Sequence, residues 1–411
     1  MRIRPATSLS VLGAALVTAA ACTTNNTTII NEGSPDGAAS GSSSGTEAAT
    51  GTSGGSSGGE VAEAGSLLGF TPSNFDPSTL DVSGAGDAEV TSGLTLETDL
   101  GGTFGALPYH YQEVTQPGGP KLGVFVVHSL KIDSTATVRV LGADALVIVA
   151  LDTITIDGHL LGDSADPNKG PGAADQTDNT NVVGLGGGGG GAGTATTSGG
   201  GGGYCGAGGV GASLVGASDD AVAGMTFGQP TLIPLVAGSN GGSGFGAGGD
   251  GGGAIQLVAA HGITVTGTVS VGGRAGGPSG VYQAGFASNE QAGGGGSGGA
   301  ILIESPTVSV SGTLAANGGG GGGSMEGISG IAGATAAAGG VADLTHAAGG
   351  PGSAGATVVG SAGATLTGAA SGGGGGGAGR IRINTTSGAA TLAGTISPDA
   401  TTACLTQGTL K

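Results

Sequence analysis

The sequence predicts an all-β protein, an elongated parallel β-solenoid (β-helix-like) with glycine-rich, polyglycine II-type insertions on one side. Three observations support this fold. Short runs of β-branched residues alternate with polar residues, a two-strand unit recurs along the chain, and many of the 99 glycines among 411 residues lie in blocks between the copies of that unit. A unit of about 20 residues cannot bury its apolar face alone, so it must stack on its neighbours.

The recurring unit is a strand, a short turn, a second strand and a corner glycine, followed by a third short strand. Its four copies have their corner glycines at Gly158, Gly267, Gly312 and Gly394. Runs such as Ile154-Thr155-Ile156 and Ile263-Thr264-Val265 place β-branched residues at alternate positions, which predicts strands with one buried face. No capped helical pattern occurs after the first 21 residues.

The insertions are blocks of glycine at residues 184–211, 238–253, 293–299 with 318–330, and 349–379. They enter after the corner, which predicts that they share one side of the solenoid. Apolar residues interrupt them, including Leu185, Val210, Ile328 and Ile331. Extended polyglycine forms a three-fold helix of about 3.1 Å rise without internal hydrogen bonds, so its amides must bond laterally. We expect ordered parallel segments; flexible loops are the alternative.

The N-terminus has the order of a secretory signal. Arg2 and Arg4 precede an uncharged run at residues 9–17, and small residues lead to Cys22. This end resembles the bacterial lipobox, which implies a lipid-modified Cys22 after removal of residues 1–21; cleavage near Ala21 without lipidation is the alternative. Thr23 follows, in place of the Asp that favours inner-membrane retention, which predicts a lipid-anchored protein of the outer membrane or cell surface.

Composition divides the rest of the chain. Residues 22–65 are rich in Ser, Gly and Thr and predict a flexible tether, with a root-mean-square reach of roughly 35 Å for about 40 residues. Residues 66–120 predict an irregular entry segment or cap, and residues 121–411 the glycine-rich solenoid domain.

Glycine runs such as 293–299 before Ala300-Ile301, and the sequence Ala315-Ala316-Asn317-Gly318, resemble uncharacterised glycine-rich surface lipoproteins of myxobacteria and their relatives. The resemblance spans roughly residues 67–396. It implies a surface location and supplies no catalytic residues. In composition the glycine blocks are also similar to glycine-repeat surface proteins of mycobacteria and to polyglycine-helix antifreeze proteins.

Few residues suggest a chemical site. Cys205 and Cys404 are available for a disulfide in an oxidising envelope, although their spacing equally allows two separate thiols. Asp163, Asp166 and Asn168 are weak candidates for a cation site, because their spacing is not that of an EF-hand loop.

Asp157 and His159 form the best acid–base pair that the sequence offers, but a solvent-facing turn explains them more simply. The sequence predicts no catalytic residues, no metal and no cofactor.

The formal net charge of −18 argues against nucleic acid as a partner. Tyr109 and Tyr111 could contact a ligand, although covering the first open strand edge suits them better. We therefore expect a non-enzymatic structural or adhesive surface module. It would be held at the membrane by its lipid anchor. It would contact polysaccharide or other surface proteins through the backbone amides of its glycine-rich side. The alternatives are a specific glycan- or protein-binding module and a β-helix polysaccharide lyase or glycosidase.

Overall fold

The computed structural model describes residues 68–99, 101–165, 168–174, 186–215, 221–280, 291–367 and 370–411. These residues form β-strands and one short 3-10 helix at Pro77–Thr79, which confirms the prediction of an all-β protein. The strands in chain order are β1 (Asp87–Val90), β2 (Leu94–Glu97), β3 (His110–Thr115), β4 (Lys121–Val127), β5 (Ser129–Ile132), β6 (Thr137–Leu141), β7 (Ala145–Ala150), β8 (Thr153–Ile156), β9 (His159–Leu161), β10 (Ala254–Ala259), β11 (Gly262–Val265), β12 (Thr268–Ser270), β13 (Ala300–Glu304), β14 (Val308–Val310), β15 (Thr313–Ala315), β16 (Arg380–Thr385), β17 (Thr391–Leu392), β18 (Thr395–Ser397) and β19 (Leu405–Thr409).

The strands form three sheets. Sheet I has the order β1-β5-β8-β11-β14-β17, sheet II has the order β19-β16-β13-β10-β7-β4-β3, and sheet III has the order β18-β15-β12-β9-β6-β2. From β4 onward the chain passes through sheets II, I and III in turn and then returns to sheet II beside its previous strand. All neighbours are parallel except β3 and β4. Such stacked turns are consistent with the predicted solenoid arrangement.

Burial along the strands follows from this stacking. Strands of sheets I and III alternate between buried and more exposed residues, as in Thr153–Ile156, because only one face meets the interior. Strands β7, β10 and β13 of sheet II are buried at every position. Their inner face joins the core between the sheets, and their outer face forms a second core with residues that include Leu68, Phe75, Tyr204 and Leu235.

The predicted corner glycines form a column, one above the other. A β-carbon on Gly267 would lie 1.9 Å from the carbonyl oxygen of Gly158, and one on Gly312 would lie 2.0 Å from that of Gly267. Gly394 stands in the same relation to Gly312. Stacked turns approach too closely at this corner for any other residue.

The segment at 66–120, expected to be irregular, contributes strands to the stack. β1 pairs with β5 and β2 with β6, so they form a partial first turn. β3 then pairs antiparallel with β4 and covers that edge of sheet II. Tyr109 and Tyr111 place their rings 5.5 and 5.0 Å from the ring of Phe125, and Tyr111 Oη donates to the carbonyl oxygen of Thr98.

A buried carboxylate attaches residues 68–80 to the outer face of sheet II. Glu304 accepts hydrogen bonds from the backbone nitrogen and Oγ of Ser73, from Gln256 Nε2 and from Asn384 Nδ2, at 2.6 to 3.0 Å. A buried charge is tolerated when such donors replace its water. Gln256 in turn accepts from Asn74, which extends the network along the segment.

The two cysteines, whose pairing the sequence leaves open, form a disulfide in the structure. Cys205 lies in the first insertion and Cys404 just before β19, 199 positions further along the chain. Beside the disulfide, the guanidinium of Arg380 lies 5.6 Å from the ring centre of Tyr204 and donates to the carbonyl oxygen of Phe227. The first insertion is therefore attached to β16 and β19, the last two strands of sheet II in chain order.

Three long insertions, at residues 162–253, 271–299 and 316–379, each join a strand of sheet III to the next strand of sheet II. They therefore leave the stack at one corner. Within them, glycine-rich segments lie side by side and are joined by backbone hydrogen bonds. Four inner segments are each surrounded by six others; they are 198–203, 291–299, 316–323 and 371–379.

Segment 291–299 shows the pattern of these bonds. The backbone nitrogens of Gly293, Gly294 and Gly295 donate to three different segments, at 271–280, 237–244 and 371–379. The next three residues donate to the same three segments in the same order. The carbonyl oxygens accept from 198–203, 316–323 and 246–253 with the same three-residue period.

The backbone hydrogen bonds between segments place the described glycine-rich segments of the insertions in five layers. In order across the bundle they are 327–331 with 337–341; 271–280, 316–323 and 346–353; 246–253, 291–299, 371–379 and 358–364; 237–244, 198–203 and 206–212; and 186–193 with 221–225. An inner segment has neighbours on all sides, so few of its positions have room for a side chain, and those that do hold small or hydrogen-bonded ones such as Ser297. β-Carbons on Gly373, Gly374 and Gly375 would lie 1.9 to 2.1 Å from carbonyl oxygens of three different segments.

We therefore predict that Gly375→Ala lowers the free energy of unfolding by at least ~2 kcal/mol, because its methyl group would meet the carbonyl oxygen of Pro351 at 2.0 Å. Ala362→Val adds a larger group at an exposed position of the adjacent segment 358–364 and should change stability by less than about 0.5 kcal/mol. Denaturant unfolding of both variants measures the difference. Equal midpoints for the two would show that segment 371–379 is not enclosed.

Candidate functional surface

The surface of the glycine bundle carries the exposed apolar side chains of the protein. Every large hydrophobic side chain that is exposed among the described residues lies between Val210 and Leu366, within the insertions. In the outermost segments these side chains recur at every third residue. A three-residue helix presents one residue in three outward, so the period of the side chains matches the period of the backbone bonds.

One outer layer, formed by residues 325–344, has the largest such patch, which we call the 325–344 face. Met325, Ile328 and Ile331 follow each other at intervals of three and are all exposed. Gly327 and Gly330 lie between them, and their β-carbons would meet the inner segment at 316–323. The chain therefore alternates a residue that must be glycine with one that is free to be large.

The second segment of this face runs antiparallel to the first. Ser324 N donates to the carbonyl oxygen of Val341, and Ile328 N donates to that of Ala338, at 2.9 and 2.8 Å. Its exposed residues include Val341 and, at 97 % exposure, Leu344. The layer on the opposite side of the bundle has a smaller apolar set, Val222 and Met225.

The 325–344 face has little charge of its own. Glu326 lies 3.7 Å from Arg274 Nε, and Asp343 accepts from His346 Nδ1 at 2.7 Å. The hydrogen bonds from Thr345 N and from His346 hold the pKa of Asp343 down to about 2. His346 is itself buried and bonds through Nε2 to the carbonyl oxygen of Gly280. The contacts of Asp343 and His346 thus hold the loop at residues 343–346 against Gly280.

The candidate cation residues do not come together as a described site. Asp163 is half-buried, and its Oδ1 accepts from Ser270 Oγ and from the backbone nitrogen of Gly272. Burial raises the pKa of Asp163, and these two hydrogen bonds oppose the shift. Asn168 is exposed, while Asp166 lies outside the described residues. Among the described residues no three His, Cys, Asp or Glu side chains are grouped to hold a metal ion.

The remaining sequence candidates occupy structural positions. Asp157 accepts a hydrogen bond from Thr266 Oγ1 of a neighbouring turn at 2.6 Å, and His159 is exposed. The two tyrosines of the cap pack on Phe125, as described above. Cys22 lies outside the described residues.

The sequence pattern did not predict a group of aspartate and histidine side chains that the structure brings together. At the corner between sheets II and I, successive turns place His128, Asp152 and His261 in one line joined by backbone bonds, and Asp87, the first residue of β1, pairs with Ser129 next to His128. His128 Nδ1 lies 2.7 Å from Asp87 Oδ1, and His261 Nδ1 lies 2.9 Å from Asp152 Oδ1. Each of His128, Asp152 and His261 directly precedes a strand of sheet I, a shared position that aligning the turns would have revealed.

An apolar groove of about 680 Å³ lies where residues 71–76 pass the end of β3. Its lining includes Phe75, Val114, Pro117, Ile233 and Pro234. The groove is open and carries no acid–base pair among its lining residues.

Comparison with known proteins adds no further guide: no family model matches the chain, and neither the curated proteins nor the solved structures contain a significant match. In the part of the chain that the structure describes, no helix is long and apolar enough to cross a membrane.

The Asp87–His128 pair leads to a prediction about pH. The hydrogen bond from His128 to Asp87 raises the pKa of the imidazole above 6.5 and lowers that of the carboxyl below 3.8. The pair therefore stabilises the fold at pH values between 3.8 and 6.5, where both groups are charged. This stabilisation is lost as the pH rises through the raised pKa of His128 or falls through the lowered pKa of Asp87. In an NMR titration, Asp87→Asn should bring the pKa of His128 down toward 6.5; an unchanged value would contradict the pairing.

Proposed function

We propose that the protein is a non-enzymatic lipoprotein of the outer membrane or cell surface that acts as a structural or adhesive module. In this proposal residues 1–21 are a signal peptide and Cys22 carries the lipid. The resemblance to glycine-rich surface lipoproteins and the order of residues before Cys22 support the location.

We propose further that the three sheets form a β-solenoid and that the glycine segments are polyglycine II helices held against it. Support comes from the three-residue period of donors and acceptors in segment 291–299. The six neighbours of each inner segment also support it, because only glycine allows backbones to approach on all sides.

The observation that carries the function is a hydrogen-bonded, nearly uncharged bundle with apolar side chains exposed on its outer layers. Exposed apolar patches on soluble proteins mark surfaces that meet another surface. The outward positions hold side chains such as Ile328 and Val222, which keep another backbone at a distance. Contact would therefore be made through these side chains, and not through backbone amides as the sequence suggested.

The proposed contact is broad, which suits adhesion better than the recognition of one small molecule. Specific binding has one supporting observation, the apolar groove beside Phe75 and Ile233. A groove bounded by prolines, with Asp76 as its single acidic lining residue and no basic one, favours an apolar peptide segment over a glycan. We rank this below adhesion, because the groove is a small part of the apolar surface.

Deletion of the gene should reduce attachment of cells to surfaces and cohesion between cells, and the wild-type gene should restore both. Cys22→Ser should not restore them, since the folded protein would no longer be held at the membrane. Metabolic labelling with palmitate checks the same residue and should disappear in this variant. Label that survives Cys22→Ser, or attachment and cohesion that are unaffected by the deletion, would count against the proposal.

A further inference from the structure

Strand β3 is the last strand of sheet II, so it has a neighbour, β4, on one side only. One bond distinguishes the two sides of β4: the carbonyl oxygen of Val127 accepts from the backbone nitrogen of Leu151, next to β7. Because the backbone groups of successive residues in a strand point to opposite sides, Val124 points the other way, toward its partner Gln112 in β3. Gln112 and the alternate residues of β3 therefore bond to β4.

The residues between them have their backbone groups on the open edge of β3. These are Tyr111, Glu113 and Thr115, whose N–H and C=O groups form no hydrogen bond among the described residues. Gly84 occupies the edge before them, since a β-carbon there would lie 3.9 Å from the carbonyl oxygen of Tyr109. Glu113 and Thr115 are exposed. An unpaired strand edge of this kind is a template for a further strand.

The apolar groove of about 680 Å³ adjoins this open edge. Val114 and Thr115 of β3 line it together with Pro117. Val114 packs on the outer face of sheet II, beside the second core. Side chains at opposed positions of neighbouring strands lie on the same face, so a residue of an added strand opposite Val114 would place its side chain at the groove.

The groove also has a buried polar atom without a partner. Asn74 lines the groove and is 6 % exposed. Its Nδ2 donates to the carbonyl oxygen of Leu232 and to Gln256 Oε1, both at 3.1 Å, whereas its Oδ1 has no hydrogen-bond partner among the described residues. A buried acceptor without a donor is costly, so a ligand that brings a donor supplies what the free protein lacks.

We propose that an extended, basic peptide segment of another protein binds here as an additional strand of sheet II, next to β3, with an apolar side chain in the groove. Main-chain hydrogen bonds to Tyr111, Glu113 and Thr115 hold the segment, and the groove selects its side chain. This inference goes beyond the proposed adhesive function and does not rest on it.

Charge decides which peptide fits. Asp76 lines the groove, and two further carboxylates lie beside β3. Asp81 is 3.7 Å from His110, and Glu113 accepts through Oε2 from Lys121 Nζ at 2.5 Å. Glu113 Oε1 has no partner among the described residues, so it can accept from a cation of the bound segment.

The ionisation of Tyr111 reflects the same negative charge. Burial is the largest cause that raises the pKa of Tyr111 to about 12, and the charges of Glu113, Asp144 and Asp99 follow it. A segment that carries Lys or Arg beside its apolar residues therefore fits this edge better than an acidic one.

The same charge argues against two other occupants. Residues 22–67 of this chain contain five acidic residues and no Lys or Arg, so the site would repel them. Pairing with β3 of a second copy would join two chains of net charge −18, with Glu113 of each at the shared edge. A basic segment of another protein is the occupant that remains.

The test uses the peptide acetyl-Lys-Val-Lys-Val-Lys-Val-amide, whose residues alternate as the two faces of a strand require. Fluorescence anisotropy of the dye-labelled peptide, titrated with the full chain to about 500 µM, should show saturable binding; this range allows for the weak affinity of a short segment. Replacing every Lys by Glu should weaken binding at least tenfold, because it reverses the charge. Methylating every backbone nitrogen of the peptide should do the same, because it removes the donors.

Two substitutions at one position separate the backbone from the side chain. Thr115→Pro removes an N–H from the open edge and leaves the bonds between β3 and β4, since proline is tolerated where the N–H faces solvent. Thr115→Val keeps the N–H and is the matched control. Circular dichroism and thermal unfolding establish that both variants fold. Thr115→Pro should weaken peptide binding at least tenfold, and Thr115→Val should bind as the wild type does.

Amide hydrogen exchange of the wild type locates the bound peptide without any substitution. The amides of Glu113 and Thr115 should exchange fast in the free protein and become protected at saturating peptide. The amides of Gln112 and Val114, which bond to β4, should change little.

No saturable binding to the wild type, equal binding of the methylated peptide, or equal binding by the Thr115→Pro and Thr115→Val variants would overturn the inference. So would protection of Glu113 and Thr115 that rises with protein concentration alone, because β3 would then pair with a second copy. The attachment and cohesion that test the proposed function are measured on cells without this peptide, so either proposal can fail while the other holds.

Discussion

The hydrogen bonding of glycine backbones in the absence of side chains is the constraint on which the structure depends. Every buried peptide group needs a partner, and an extended glycine segment cannot supply one internally. In segment 291–299 the three-residue repeat directs donors to three neighbours and acceptors to three others. A lattice of six neighbours satisfies this geometry, and at most inner positions, such as Gly373, Gly374 and Gly375, it leaves no room for a β-carbon. The conformational entropy that glycine loses on ordering is offset only if most of these bonds form together.

The sheets bring the glycine segments together at low additional cost. Gly253, Gly299 and Gly379 each immediately precede a strand of sheet II, and Val271 and Ala316 follow strands of sheet III. Because stacked strands lie about 4.8 Å apart, the chain leaves each turn already parallel to its neighbours. The disulfide of Cys205 and Cys404 and the stacking of Arg380 on Tyr204 also attach the middle of the first insertion to the sheets. The bundle and the sheets therefore form a single cooperative unit in this account.

Much of the fold could be predicted from local pattern, and the rest required long-range pairing. Alternation in runs such as Ile154-Thr155-Ile156 and the recurring corner glycines identified the strands and the stacking of turns. The pattern indicates only in part which segments are enclosed: the unbroken runs 199–203, 318–323 and 372–377 lie in inner segments and Ile328 and Ile331 interrupt an outer one, but the unbroken run 186–191 also lies in an outer segment. Its meaning became clear only from the lattice. The donors around Glu304 and the Asp87–His128 pair join residues tens to hundreds of positions apart, so no local pattern contains them.

Amide hydrogen exchange of the glycines tests the central claim most directly. The account predicts that the backbone amides of 293–298 and 372–377 exchange as slowly as those of β10 and β13, since all belong to one bonded structure. The strands of sheet II provide the standard within the same sample. Glycine amides that exchange at random-coil rates while β10 and β13 stay protected would contradict the account, because the insertions would then be loops and not a bundle.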